Sequence, residues 1–269
     1  MERHLIVLDL DGTLLTDQKT ISEKTKQTLM KAKEAGHQVM IATGRPFRAS
    51  SLYYEELMLT TPIVNFNGAL VHHPKNRSWQ IKHSPMDLSV VYDVVDSVDK
   101  YQYQNLIAEV MDDVYIHAED KTFMDIFNMG DPNVLIGNLR GNLNEDPTSL
   151  LIHATEENVP TIRRHLEDVH AELIDHRRWG APFHIIEIVR KGLNKAVGIS
   201  HVAKEMGIPR DRIIAFGDED NDLEMIDYAG IGVAMSNGID QLKSIANEIT
   251  LSNNEDGIAK ILIERLKLK

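Results

Sequence analysis

Short apolar runs and longer amphipathic stretches take turns along this chain. The first run, Leu5-Ile6-Val7-Leu8, has no polar interruption, the pattern of a strand buried on both faces. Next, Ser22 is placed to cap a helix running to about Ala35, with Leu29, Ala32 and Lys33 at helical spacing and Gly36 as its stop. Gln38-Val39-Met40-Ile41-Ala42 predicts a second buried strand. After another helix, Pro62-Ile63-Val64-Asn65-Phe66-Asn67-Gly68-Ala69 predicts a third strand ending in a polar turn. Strand, helix, strand, helix, strand predicts a parallel sheet with crossover helices, and such sheets bind ligands beyond their C-terminal strand ends. Asp9, Thr43 and Asn65 fall at or near those ends.

The rhythm changes between about Trp79 and about Ile188. Leu88, Val91, Val95 and Val98 make an apolar helical stripe, and Asn105 to His117 reads as a hairpin with Asp112-Asp113 at or near its turn. Leu150-Leu151-Ile152-His153 and His184-Ile185-Ile186-Glu187-Ile188 read as strands; Pro160 to Val169 reads as a helix with Ile162 and Leu166 inward. Residues 130–147, rich in Gly, Asn, Asp and Pro, read as loop. Helices among antiparallel strands predict an α+β insert with its own core. From Lys191 the first pattern returns, with a helix from Asn194 to Met206, a strand at Arg212-Ile213-Ile214-Ala215-Phe216 and an acidic turn at Gly217-Asp218-Glu219-Asp220-Asn221-Asp222. A helix with Leu223, Met225 and Ile226, a short strand at Gly230–Ala234 and an apolar helix with Ile258, Ile261, Leu262 and Leu266 complete it.

Composition narrows the function. The 269 residues carry a formal net charge of -12, which argues against a general nucleic-acid binder. With no cysteine, disulfides, thiolate metal sites and cysteine nucleophiles are excluded, and a reducing cytoplasm is the expected location. The first apolar run is too short for a signal peptide and is broken by Asp9, and no segment approaches membrane-spanning length.

The chemistry gathers at Asp9-Leu10-Asp11-Gly12-Thr13. Residues two apart on a strand share a side, so Asp9 and Asp11 face one spot past the strand end. Two carboxylates there repel unless a divalent cation keeps one ionised or a trapped proton keeps the other neutral. Gly12 permits a sharp turn whose N–H groups meet an anion. The plainer alternative is a strand followed by a solvated Asp-Gly turn.

Four stations tilt that balance: Asp9/Asp11, Thr43, Lys195 and Asp218/Asn221/Asp222. Together they resemble the haloacid dehalogenase superfamily, and within it the Cof-type phosphatases with a large α/β cap (subfamily IIB). Asp9-Leu10-Asp11-Gly12-Thr13 resembles its first motif, Ala42-Thr43-Gly44-Arg45 its second, Lys191-Gly192-Leu193-Asn194-Lys195 its third and Gly217 to Asp222 its fourth. Glu219 stands where related sequences often carry Asn, and Val189-Arg190 departs from the small or proline-containing turn expected before Lys191.

The resemblance implies an α/β fold: a Rossmann-like core domain from residues 1–80 and 190–269, with an α+β cap domain inserted over 81–189. It implies a Mg²⁺-dependent phosphatase of small phosphorylated metabolites, sugar phosphates first and then nucleotide, flavin or pyridoxal phosphates. Asp9 would be the nucleophile, forming an aspartyl-phosphate. Asp11 would be general acid and then base, needing a raised pKa. Asp9, the Asp11 carbonyl and Asp218 would hold Mg²⁺, with Asp222 and Glu219 around them. Thr43, Gly44, Lys195 and the Leu10 N–H would hold phosphoryl oxygens. Asn221 would position Asp218 or touch phosphate. Substrate contacts are expected from cap strand ends and loops near residues 110–120 and 175–185, with cap closure excluding water. The expected partner is a small phosphorylated metabolite, with no nucleic acid and no membrane.

Each station alone has a plainer reading. Thr43-Gly44 suits an ordinary strand-to-loop turn, Lys195 a solvated lysine at a helix start, and the acids at 218–222 a helix N-terminus. Arg45 either orders its loop or reaches substrate. His117, His153, His165 and His184 read mostly as structural. A phosphomutase using the same aspartyl-phosphate, or a non-catalytic phosphometabolite sensor, would carry the same residues.

Overall fold

Leu5–Leu8 lies at the heart of a five-stranded parallel sheet, between Gln38–Ile41 on one side and Ile213–Gly217 on the other. All four of its side chains are fully buried, as a strand covered on both faces requires. Each such aliphatic side chain contributes about 1.5–3 kcal/mol of transfer free energy. In this computed structural model, which describes residues 2–120, 127–179 and 183–268, the sheet continues outward through Ile231–Ala234 to Glu248–Ile249. The expected parallel sheet with crossover helices is therefore present.

The helix Glu23–Glu34 begins at Ser22, whose side chain accepts the Thr25 N–H, and buries Thr25, Thr28, Leu29 and Ala32. The third predicted strand is shorter than expected. Ile63–Asn65 touches the main sheet through one parallel bridge, Ala42 to Val64, and pairs antiparallel with Leu70–His72. The turn between those two strands is strained: Phe66, Asn67 and Gly68 all have positive φ, at 49°, 51° and 104°. A side chain at position 68 would meet the Asn194 carbonyl oxygen at 2.3 Å, so glycine is required there. That approach seats the turn on the start of the helix Lys195–Glu205, whose N-cap Asn194 accepts the Val197 N–H.

Contacts divide the chain into two units: Met1–Arg45, Ser50–Lys82 and Asn194–Lys269 in one, Pro46–Ala49 and His83–Leu193 in the other. The second unit holds a six-stranded sheet. Its strands run in the order Ile174–Arg178, Ile185–Arg190, Ser149–Ala154, Tyr103–Val110, Asp113–Ile116 and Val134–Ile136. Neighbours pair antiparallel except the last two, which are parallel. Val91, Val94, Val95 and Val98 from Leu88–Val98, with Ile162 and Leu166 from Val159–His170, pack on Leu106, Ala108, Leu150, Ile152, Ile186 and Ile188. The sheet's other face carries a smaller cluster around Ile107, Leu151, Ile185 and Phe127.

Two expectations change. The stretch expected as loop over 130–147 contains the strand Val134–Ile136 and the short helix Leu139–Asn142. Ile174–Arg178 is a strand despite its polar run, because it borrows its pairing from Ile185–Arg190. Part of the segment 175–185, expected to touch substrate, lies outside the described residues at 180–182.

Candidate active site

The strand Leu5–Leu8 delivers Asp9 to its C-terminal end, where the residue is 5 % exposed. Its backbone is locked on both sides: the Asp9 N–H donates to the Phe216 carbonyl, and the Asp9 carbonyl accepts the Leu14 N–H. Leu10 is buried, and its carbonyl accepts the Leu15 N–H at 2.8 Å.

Lys195 meets Asp9 from the first turn of its helix. Its fully buried Nζ lies 2.5 Å from Asp9 Oδ1 and 2.7 Å from Asp222 Oδ1. Burial alone would lower its pKa, but the Asp222 and Asp9 charges outweigh burial and raise it. The ammonium is thus fixed in its charged form. The reading of Lys195 as a solvated surface lysine falls on this burial.

Asp218 arrives at the end of the neighbouring strand Ile213–Gly217. Thr13 Oγ1 donates to its Oδ1 at 2.7 Å. The backbone of Gly12, at φ 74°, presses so closely that a Cβ there would fall 2.1 Å from Asp218 Oδ2. Asp9, Asp218 and Asp222 each place a carboxylate oxygen within 4.8 Å of the others, and all three residues are buried. Burial raises the Asp9 pKa well above its ordinary value, opposed by Lys195 and reinforced by Asp222 and Asp218. Burial, and then Asp222, push Asp218 up to about 7.

Three buried carboxylates against one ammonium leave excess negative charge. An oxygen-only, anionic donor set of this kind fits a hard divalent cation such as Mg²⁺. Asp222 is already engaged: Oδ1 accepts from Lys195, and Oδ2 accepts the N–H groups of Asp218 and Glu219. Its geometry suits holding Asp218 and Lys195 in place. Glu219 stands apart from the cluster. It is exposed, and its carboxylate caps the following turn by accepting the Asp222 N–H.

Asp11 points elsewhere. Arg45 grips it in a fork, Nε to Oδ2 and Nη2 to Oδ1, both at 2.6 Å, and Lys19 Nζ adds a third bond at 2.6 Å. Burial would raise the Asp11 pKa, but the Arg45 bonds and charge, then Lys19, bring it down to about 2. The expected raised pKa is reversed here, because two cations absent from that expectation bind both oxygens.

The second station folds inward as well. Thr43 is buried; its hydroxyl accepts the Arg45 N–H at 3.1 Å and its carbonyl accepts the Asn67 N–H. A side chain at Gly44 would lie 3.1 Å from Asn67 Nδ2. Asn221 Nδ2 donates to Asn67 Oδ1 at 3.1 Å. Asn67 therefore links the second and fourth stations, a role its position in a polar turn did not reveal. The signal that could have found it is the Asn-x-Asn-Gly sequence itself, which suits a turn with positive φ.

The haloacid dehalogenase-like hydrolase family matches residues 6–262. The chain is 58% identical to 5-amino-6-(5-phospho-D-ribitylamino)uracil phosphatase YitU of Bacillus subtilis, covering 98% of both chains. It is 29% identical to pyridoxal phosphate phosphatase YbhA of Escherichia coli, over 99% of this chain and 100% of that one. Among solved structures it is similar to a haloacid dehalogenase-like hydrolase from Bacteroides thetaiotaomicron, with a TM-score of 0.85 and 26% identity over 98% of this chain and 100% of that chain. Among the described residues, no helix is long and apolar enough to cross a membrane. With that match running nearly end to end over a chain that gathers Asp9, Lys195 and Asp218 at one sheet end, the chain belongs to the haloacid dehalogenase-like hydrolases, as a phosphatase of their Cof type.

Proposed function

We propose that this phosphatase hydrolyses a small phosphomonoester in two steps through an aspartyl-phosphate on Asp9, with Mg²⁺. The observation that carries the reading is the convergence of Asp9, Lys195, Asp218 and Asp222 in one buried cluster. In the first step an Asp9 oxygen bonds to phosphorus, the ester P–O bond breaks, and Asp11 gives its proton to the leaving oxygen. In the second, Asp11 takes a proton from water as that water attacks the aspartyl-phosphate. Asp11 in the grip of Arg45 and Lys19 is ionised, the form the second step needs. For the first step that grip has to relax.

Lys195 supplies a fixed positive charge beside the nucleophile, within reach of phosphoryl oxygens arriving at Asp9. Thr43 and the Gly44 and Leu10 N–H groups complete the expected phosphate cradle, with Asn221 held beside it through Asn67. Asp9, the Asp11 carbonyl and Asp218 would hold the metal, and Asp222 would fix Asp218 behind it. Glu219 contributes only by capping the same turn. When bound, Mg²⁺ supplies Lewis-acid neutralisation of carboxylate and phosphoryl charge.

The 58% identity to the ribitylaminouracil phosphatase supports a flavin-precursor phosphate as the first substrate, ahead of the sugar phosphates expected from the sequence. Pyridoxal phosphate comes next, supported by the 29% relative. Phosphate release from 5-amino-6-(5-phospho-D-ribitylamino)uracil, pyridoxal phosphate and a set of sugar phosphates, each with and without Mg²⁺, tests both parts. The first should give the highest kcat/KM, and Asp9→Asn should abolish turnover. Turnover by Asp9→Asn near the wild-type rate would end the mechanism; a sugar phosphate leading the panel would end the substrate assignment.

A further inference from the structure

Lys19 is an exposed lysine on a tight turn, yet it stands in a fixed place. Its φ of 59° is left-handed, a conformation unfavourable for a residue that carries a side chain. Its side chain is 57% exposed, and an exposed ion pair alone contributes too little to fix it on Asp11. The backbone must therefore be held by other contacts. The Lys19 N–H donates to the Thr16 carbonyl at 2.8 Å, and the Thr16 N–H donates to the Thr20 carbonyl at 2.9 Å. From outside the turn, Asn254 Oδ1 accepts the Asp17 N–H at 3.1 Å, and the Tyr53 hydroxyl donates to the Lys19 carbonyl itself at 3.0 Å.

Tyr53 belongs to the helix Ser51–Glu56 and is 7% exposed, so its ring has little freedom. The same side chain serves the other cation on Asp11. The Arg45 guanidinium carbon lies 5.7 Å from the Tyr53 ring centroid. One side chain thus reaches both residues that bind the Asp11 carboxylate: its hydroxyl holds the Lys19 backbone and its ring faces the Arg45 guanidinium.

We propose that Tyr53 is a positioning residue for Asp11: through Lys19 and Arg45 it sets where the Asp11 carboxylate stands during proton transfer. This rests on the reading of Asp11 as the proton donor and acceptor. No bond to Tyr53 forms or breaks. The transfer it fixes is the second, in which the gripped, ionised Asp11 takes a proton from the water that attacks the aspartyl-phosphate.

The test is a double-mutant cycle of Tyr53→Phe with Asp11→Asn, followed on p-nitrophenyl phosphate with Mg²⁺. Tyr53→Phe keeps the buried ring and removes the hydroxyl. It should lower kcat about ten-fold with KM within about two-fold, since misplacing a catalytic group costs rate rather than binding. In the Asp11→Asn background the same change should move kcat by less than about two-fold, because the group it positions is gone. Lys19→Met, a substitution in an exposed side chain, should show the same pattern and guards against misfolding of the Tyr53 variant. A kcat for Tyr53→Phe within two-fold of wild type would overturn the proposal. So would an equal ten-fold loss in both backgrounds, the mark of a general structural defect. Near-wild-type turnover by Asp11→Asn would instead strike the underlying reading of Asp11.

Discussion

The Lys195 ammonium lies 2.5 Å from Asp9 Oδ1, joining residues 186 apart in the chain, and its side chain is wholly buried. The charge balance of the site depends on this buried cation. Lys195→Met leaves Asp9 and Asp222 buried against each other. It should destabilise the metal-free protein by about 3–5 kcal/mol, the usual result of removing one partner of a buried pair. Urea unfolding in a chelator measures this, and a midpoint unchanged from wild type would contradict it.

Asp218 sets a pH dependence in metal-free protein. Its folded pKa of about 7 lies above its ordinary value of 3.8. Between those values the folded protein holds a proton that the unfolded chain has released. Stability from this group therefore falls as pH rises from about 4 to about 7, then levels. Mg²⁺ binding should expel that proton, so the gain in Tm on adding Mg²⁺ should grow across the same window. Thermal melts at several pH values, with chelator and with Mg²⁺, read both trends. Asp218→Asn should flatten them, and a wild-type Tm that rises steadily from pH 5 to pH 7 in chelator would contradict the assignment.

Gly12→Ala tests the close approach of the Gly12 backbone to Asp218, the proposed metal ligand. The new methyl would collide with Asp218 Oδ2 and would sit at a φ of 74°. A loss of about 1 kcal/mol or more is expected from the backbone alone. The displaced carboxylate should also abolish most of the Tm increase caused by Mg²⁺. An Mg²⁺ response equal to wild type would show that Asp218 is not a ligand.

Arg48 and Glu109 form a buried ion pair, and Ser149 Oγ donates to the other Glu109 oxygen at 2.9 Å. Glu109→Leu removes the anion opposite a buried guanidinium and should cost about 3–5 kcal/mol. The double variant Arg48→Met, Glu109→Leu removes both charges and should recover most of that loss. Denaturant melts of the three proteins decide it; a double variant as unstable as the single one would show that the pairing is not what holds these side chains.

Much of the fold was written locally. Leu5–Leu8 and Ile213–Gly217 are apolar runs whose only good solution is a strand buried on both faces, and the helix Glu23–Glu34 announces itself through Ser22 and its inward stripe. The four stations were legible only jointly, through their resemblance in order to the haloacid dehalogenase motifs, since Thr43-Gly44, Lys195 and the acids at 218–222 each had a plainer reading alone. Ile174–Arg178 was not legible, since Asp-His-Arg-Arg has no strand pattern until Ile185–Arg190 offers its backbone. Val134–Ile136 likewise became a strand only by pairing with Asp113–Ile116.

What sequence alone determined, then, is the order of elements and the chemical inventory of the site, because both follow from periodicity and side-chain type over short spans. The tertiary structure decided the electrical state of each group. Asp9 rises in pKa through burial and the distant Asp222 and Asp218, and Asp218 through burial and the nearby Asp222, while Asp11 falls to about 2 because Arg45 and Lys19 reach it. Two aspartates separated by one residue thus acquire opposite shifts. Coulomb energy and desolvation depend on distance through space, and the chain does not encode that distance until it has folded.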